Sequence, residues 1–234
     1  MGRILERERV ANRSLNMSDS IEKFWKIKIE NCRESLAKNN FTAFSASTPK
    51  HAAEIILRNI LPLTGASTIS WGDSLTLYST GVLDQLKGNP DYFILETFNE
   101  NLPRAEIIER RRQALLVDLF FTGTNAITES GILVNLDMIG NRVAAINFGP
   151  RNVVIVAGRN KIVPDLEHAV SRIKGYAAPV NAIRHTRLRT PCMKTSFCSA
   201  CKSPDRICNT WSITEKSFPK GRINVILIDQ DLGL

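Results

Sequence analysis

The chain has 234 residues, 43% of them hydrophobic and 23% charged, which is enough to bury one substantial core and too apolar for a disordered protein. No apolar run approaches the roughly 20 residues that cross a bilayer. The opening MGRILERERVANRSLNMSDS carries charges where a signal peptide needs an apolar centre, so a cytoplasmic protein without a membrane span is expected. The net charge of +8 is concentrated, because residues 172 to 222 hold eleven Lys or Arg against Asp205 and Glu215, leaving twenty basic and twenty-one acidic residues elsewhere.

Residues 1–17 read as a poorly ordered leader, and 18–234 as a single α/β domain in which 178–221 form a cysteine-containing metal-binding loop. Ser18 or Ser20 can cap a first helix whose apolar positions Ile21, Phe24, Trp25, Ile27 and Ile29 give way to Cys32 and Leu36, ended by Asn39 and Asn40. Cys32 on that helix reads as a structural thiol, since no His lies near it in sequence. FTAFSA is a strand, Ser47, Thr48 and Pro49 start a helix, and ASTISWG is the next strand. Gly72 and Asp73 follow that strand and precede a helix, where backbone N–H groups can hold an anion or Asp73 or Ser74 can act as a cap. DSLTLYSTGVLDQLKG then reads as a broken helix, DYFILETF as a strand and PRAEIIERRRQALLVDLFFTG as a helix. This alternation predicts an open, mostly parallel sheet with helices on both faces.

From Thr122 to Lys161 the pattern changes. Gly123, Gly131, Gly140, Gly149 and Gly158 recur every eight to nine residues, with apolar runs such as Ile132 to Leu136, Val143 to Ile146 and Val153 to Val156 between them. The spacing predicts short strands joined by turns that carry Asn125, Thr128, Glu129, Asn135, Asp137, Asn141 and Arg142. Polar groups clustered in this way suit the wall of a small-molecule pocket. Thr122, Gly123, Thr124 and Asn125 would supply backbone and side-chain donors, and Arg142 and Lys161 could pair with a substrate carboxylate or phosphate. Asn141 reads as a turn residue. VPDLEHAVSRIKGYAAP follows as an amphipathic helix, and RINVILIDQDLGL as a buried strand that joins the main sheet.

Cys192, Cys198, Cys201 and Cys208 follow a C-x5-C-x2-C-x6-C pattern within seventeen positions. In a reducing compartment disulfides are disfavoured, and a shared metal is the favoured account of such spacing. Both tetrahedral zinc and a [4Fe-4S] cluster accept four cysteines, and the spacing matches neither a ferredoxin run nor a paired zinc ribbon. Either group would offset the local basic excess. No stacking-aromatic pattern accompanies that charge, which argues against nucleic acid as a partner.

The blocks TGTNAITESGILVNLDMIGNRVAAINFGP, AGRNKIVPDLEHAVSRIKGYAAPVNAIR and TPCMKTSFCSACKSPDRICN resemble the lactate-utilization domain family in its short single-domain form with a cysteine tail. The resemblance implies a fold similar to the ribose-5-phosphate isomerase, glucosamine-6-phosphate deaminase and CoA-transferase group. It also implies a bacterial role in oxidising lactate to pyruvate beside iron–sulfur partner proteins, which tips the metal from zinc toward iron–sulfur. CoA-transferases of that group carry a nucleophilic glutamate in Ser-Glu-Asn-Gly, and Thr128-Glu129-Ser130-Gly131 is similar, making Glu129 the carboxylate to act as base or nucleophile. Thr128 and Ser130 depart from that motif. Two other readings stay open: a non-redox isomerase or acyl-CoA transferase relative with a structural zinc, and a metabolite- or redox-sensing module.

Overall fold

The computed structural model describes residues 16–99 and 101–234. The leader expected over 1–17 therefore lies, up to residue 15, outside the described residues. Asn16 and Met17 already belong to the first helix, α1 (Met17–Lys38), whose cap is the Asn16 side chain accepting from Ser18 N. Its inward face also differs from expectation. Ile29, Cys32 and Leu36 are buried, whereas Ile21, Phe24 and Ile27 face out, because only the second half of α1 lies against the sheet. Burial pushes the Cys32 thiol up to about 12, with the charge of Glu129 adding to the effect, so it stays protonated and acts as packing.

Six parallel strands form the main sheet in the order β1 (Thr42–Ala46), β10 (Ile223–Ile228), β7 (Asn152–Gly158), β4 (Leu119–Gly123), β2 (Thr68–Trp71), β3 (Phe93–Ile94). Parallel strands covered on both faces read as continuous apolar runs, and β10 is INVILI with all six residues buried. Alternation along β7 sends Val154 and Val156 to one face and Val153, Ile155 and Ala157 to the other. Each such side chain contributes roughly 1.5–3 kcal/mol by leaving water. On the first face lie α2 (Pro49–Ile55), which continues through a π turn at Ile56–Ile60 and on to Leu61–Thr64, and the pair α3 (Leu75–Ser79) and α4 (Val82–Lys87). Thr48 caps α2 with Pro49 in its first turn, as the sequence predicts.

The second face carries α1 and a smaller sheet in the order β8 (Ile162–Val163), β5 (Ala126–Thr128), β6 (Leu133–Asp137), β9 (Thr210–Thr214). Ile127 and Leu133 point into the core under α1, while Ala126, Val134 and Leu136 meet α7 (Leu166–Arg172). That helix continues through a π turn at Ile173–Ala177 into α8 (Ala178–Arg184). Among the described residues no helix is long and apolar enough to cross a membrane.

Three expectations need correction. The helix predicted over 103–123 ends at Gln113 as α5 (Arg104–Gln113), and Leu119–Gly123 is the central strand β4, buried at every position. A uniformly apolar stretch is compatible with either state, and burial between two sheet neighbours decides it. The strand expected over 91–98 is reduced to Phe93–Ile94 at the sheet edge. Val143–Ile146 is helical, within α6 (Asn141–Asn147), because Gly140 in the left-handed region turns the chain and Asp137 Oδ2 accepts from the N–H groups of Arg142 and Val143. Asn141 is thus the first residue of a helix. The 178–221 loop contains α8, the short α9 (Cys192–Thr195) and β9.

Candidate functional site

The strand order reverses between β2 and β4: β3 lies outside β2 on one side, and β7 and β10 follow β4 on the other. Side chains and connecting loops part at the carboxyl ends of strands at such a point, which makes it the place for a ligand in open α/β sheets. A cleft of about 670 Å³ opens there. Asp73 and Ser74 after β2, Gly123 ending β4 with Thr124 and Asn125 after it, and Lys161 after β7 line it, together with Arg111, Arg184 and Arg187. Gly123 is needed because a Cβ there would run into Ser74 Oγ, where the β2 and β4 ends approach.

Arg142 braces the cleft wall. Its Nη1 donates to Gly123 O (3.2 Å) and Asn135 Oδ1 (2.6 Å), its Nη2 to Asn125 Oδ1 (2.8 Å) and Leu136 O (3.0 Å), and its Nε lies 3.9 Å from Asp137 Oδ1. All its N–H groups face protein acceptors. The guanidinium read in the sequence as a substrate partner is therefore committed to joining β4, the Asn125 link and β6 to α6. Asn125 is held from both ends, its Oδ1 also accepting from Leu136 N and its carbonyl from Arg172 Nη1.

Lys161 is 4% exposed, at the end of a 3-10 turn, Arg159–Lys161, that follows β7. Its Nζ donates to Thr76 Oγ1 at 3.2 Å, and no described carboxylate pairs with it. Burial, with Arg172 and Arg142 nearby, pulls its pKa down to about 7. Asp73 is bridged by Arg184 across the cleft mouth, and Asp137 is spent on α6 and Arg142. Arg111 stacks on Phe98, 5.2 Å from the ring centroid. Among the described residues, the buried side-chain nitrogens left without a partner are Arg111 Nε and Asn135 Nδ2, one in the cleft lining and one directly behind Asn125 and Arg142. Buried donors in that condition are rare and ask for an acceptor.

Gly123, Thr124, Asn125, Arg142 and Lys161 from the predicted set meet in the cleft. Thr122 is buried just beneath it, with Oγ1 donating to Gly123 O. Thr128, at the end of β5, and Glu129, in the β5–β6 hairpin turn, lie apart. Thr128 Oγ1 accepts from Ile132 N and shares a 2.8 Å hydrogen bond with Ser130 Oγ, while Glu129 is half exposed and pairs with Lys28 of α1 at 2.9 Å. Gly131 has φ 80, and a Cβ on it would press on the α1 backbone at Ser35 and Leu36. The Thr-Glu-Ser-Gly sequence thus has a local structural account. Sequence reading missed Arg111 and Arg184, which come from helices far away in the chain; the strand-to-helix turn at Gly72 and Asp73 was the one early signal of this edge.

The four cysteines of the basic segment are unbridged, half-buried and line one small recess of about 20 Å³ with Pro179, Thr190 and Arg206. Arg206 binds the loop together, Nε donating to Cys208 O and Nη1 to Cys201 O. The thiol chemistry suits a soft metal, but among the described residues no three His, Cys, Asp or Glu stand in an arrangement that could hold an ion. Ala178 and Ile207 line both this recess and the cleft.

Fold and site define an α/β protein with a cation-lined cleft at the carboxyl ends of a parallel sheet. A family model described as LUD domain matches residues 29–228, and the chain belongs to this family, which is associated with lactate utilization. Among solved structures it is similar to a DUF162 family protein from Deinococcus radiodurans, with 13% identity and a TM-score of 0.45 over 87% of this chain and 98% of that one. It is also similar to eIF2B delta from Chaetomium thermophilum, with 15% identity and a TM-score of 0.32 over 66% and 58%. No curated protein matches it.

Proposed function

We propose that the chain is a component of lactate utilization or related organic-acid metabolism whose cleft takes a small anion, a 2-hydroxy or 2-oxo carboxylate or a phosphorylated metabolite. The observation that supports this is the charge left over in the cleft: both acids are engaged by protein partners, whereas no described acid pairs with Arg111 or Arg187. The test is calorimetric titration with lactate, pyruvate and a sugar phosphate. At least one should bind, and Arg111→Met should weaken it about tenfold, the scale of one charge-assisted hydrogen bond. Absence of binding, or equal binding by the variant, overturns the reading.

The thiol recess is read as a second centre, with an iron–sulfur cluster preferred to zinc and Cys192, Cys198, Cys201 and Cys208 as its ligands. Four free thiols around one recess in a cationic loop support it. A cluster would supply one-electron transfer, and zinc would supply only a cross-link. Ala178 and Ile207 stand between the recess and the cleft. Anaerobic purification with metal analysis and a visible spectrum checks this, and a colourless protein with stoichiometric zinc would remove electron transfer from the proposal.

A further inference from the structure

We propose that Lys161 is a covalent attachment point, its amine condensing with the carbonyl carbon of a 2-oxo acid bound in the cleft. This rests on the reading that the cleft takes an organic-acid anion and assigns that anion a chemistry. Three geometric facts lead to it. The amine is buried yet lines the cleft, at the carboxyl end of β7 between the ends of β10 and β4.

Its hydrogen bond leaves the nitrogen free to react. Thr76 Oγ1 donates its own proton to Leu232 O at 3.1 Å, so toward Lys161 it acts as acceptor and does not cap the nitrogen lone pair. The charges facing Nζ are fixed and cationic. Arg142 is held by β4, Asn125 and β6, and Arg172 donates to Asn160 O and Asn125 O, so neither can swing away. Two anchored guanidiniums beside a desolvated amine disfavour the ammonium form and welcome a carboxylate, the arrangement that activates a lysine toward carbonyl carbon. With a pKa of about 7, a large fraction of the amine is unprotonated at neutral pH.

The step balances without an oxidant. Nζ forms a bond to the carbonyl carbon as the C=O π pair moves to oxygen, and transfer of one proton from nitrogen to that oxygen gives the carbinolamine. Protonation of the hydroxyl and departure of water leave the C=N iminium, so that amine, ketone and one proton become iminium and water. The iminium draws electrons from the two carbons flanking C2 of the acid.

The test is borohydride trapping of the full chain with pyruvate, followed by intact mass and peptide mapping, alongside calorimetry of pyruvate without borohydride. The expected result is a single reduced adduct on the peptide containing Lys161, falling more than about tenfold in Lys161→Met. Glu129→Gln, which lies outside the cleft and keeps Lys161, should retain the adduct and shows that a folded variant can still be labelled. Pyruvate binding without an adduct, or an adduct on another lysine, overturns this inference and leaves the anion cleft standing. Neither binding nor adduct overturns both.

Discussion

The cleft and the thiol recess share Ala178 and Ile207 but are built on opposite principles. Cleft groups sit at the ends of β2, β4 and β7, and Arg142 locks the β4 end through hydrogen bonds to Gly123, to Asn125 and to β6. Apart from Ala178 and Pro179 of α8, the recess is lined from residues 185–209, where the four-residue α9 is the only regular element, and Arg206 and Asp205 hold the loop to itself. One site is organised before any ligand arrives. The other has donors gathered but not arranged, so a bound metal would do the arranging.

The strongest way to break this contrast is to remove the brace. Arg142→Met takes the guanidinium donors from four oxygen acceptors and the neighbouring cation from Asp137 in a buried region, and should cost about 3–5 kcal/mol in urea unfolding, with loss of anion binding. A stable variant that still binds would show the cleft to be organised by something else.

Lys161 gives the next effect. Its folded-state pKa is lowered from 10.5 to about 7, so between these values the unfolded chain carries the extra proton. Stability should therefore rise with pH through that window, by up to about 1.4 kcal/mol per unit, and be insensitive to this group below it. Lys161→Met should flatten the slope and be more stable at neutral pH, as read by denaturant midpoints. An unchanged slope would mean that the amine is solvated.

A smaller and local change is expected at the recess. Cys198→Ala with Cys201→Ala should abolish metal retention and speed hydrogen exchange in 185–209 while the amides of β4 and β7 keep their protection. Exchange that rises equally in both regions would make the recess part of the cleft's framework. Smallest of all, Glu129→Gln removes a half-exposed pair with Lys28 and should alter stability by less than about 1 kcal/mol with anion affinity unchanged. A large loss of affinity would bring the hairpin turn back into the site.

Strand β10, the helix start at Thr48 and Pro49, and the alternation that implies a parallel sheet were legible because apolar runs and caps are local signals. Gly158 marked the end of β7 correctly. Leu119–Gly123 and Val143–Ile146 were not legible, since short apolar runs fit helix and strand equally and only the surroundings choose. For the site, the residues after β4 were in view, but Arg142 took a different role because its fully committed geometry has no counterpart in sequence spacing. Arg111 and Arg184 join the cleft through tertiary packing alone. Glu129 stood out by a four-residue likeness that the hairpin accounts for through its own backbone.

The position of β10 in the main sheet bears on how the protein is made. Among the described residues β1 pairs with β10 alone, and β10 in turn pairs with β7, so an early strand waits for one made about 180 residues later. During synthesis β1 and the amphipathic α1 emerge long before their sheet neighbour leaves the ribosome. Closure of such a distant loop is slow, and the unpaired edge is open to other chains meanwhile. Expression at low temperature, or with chaperones that shield exposed strands, should thus raise the yield of folded protein more than changes to the cleft would.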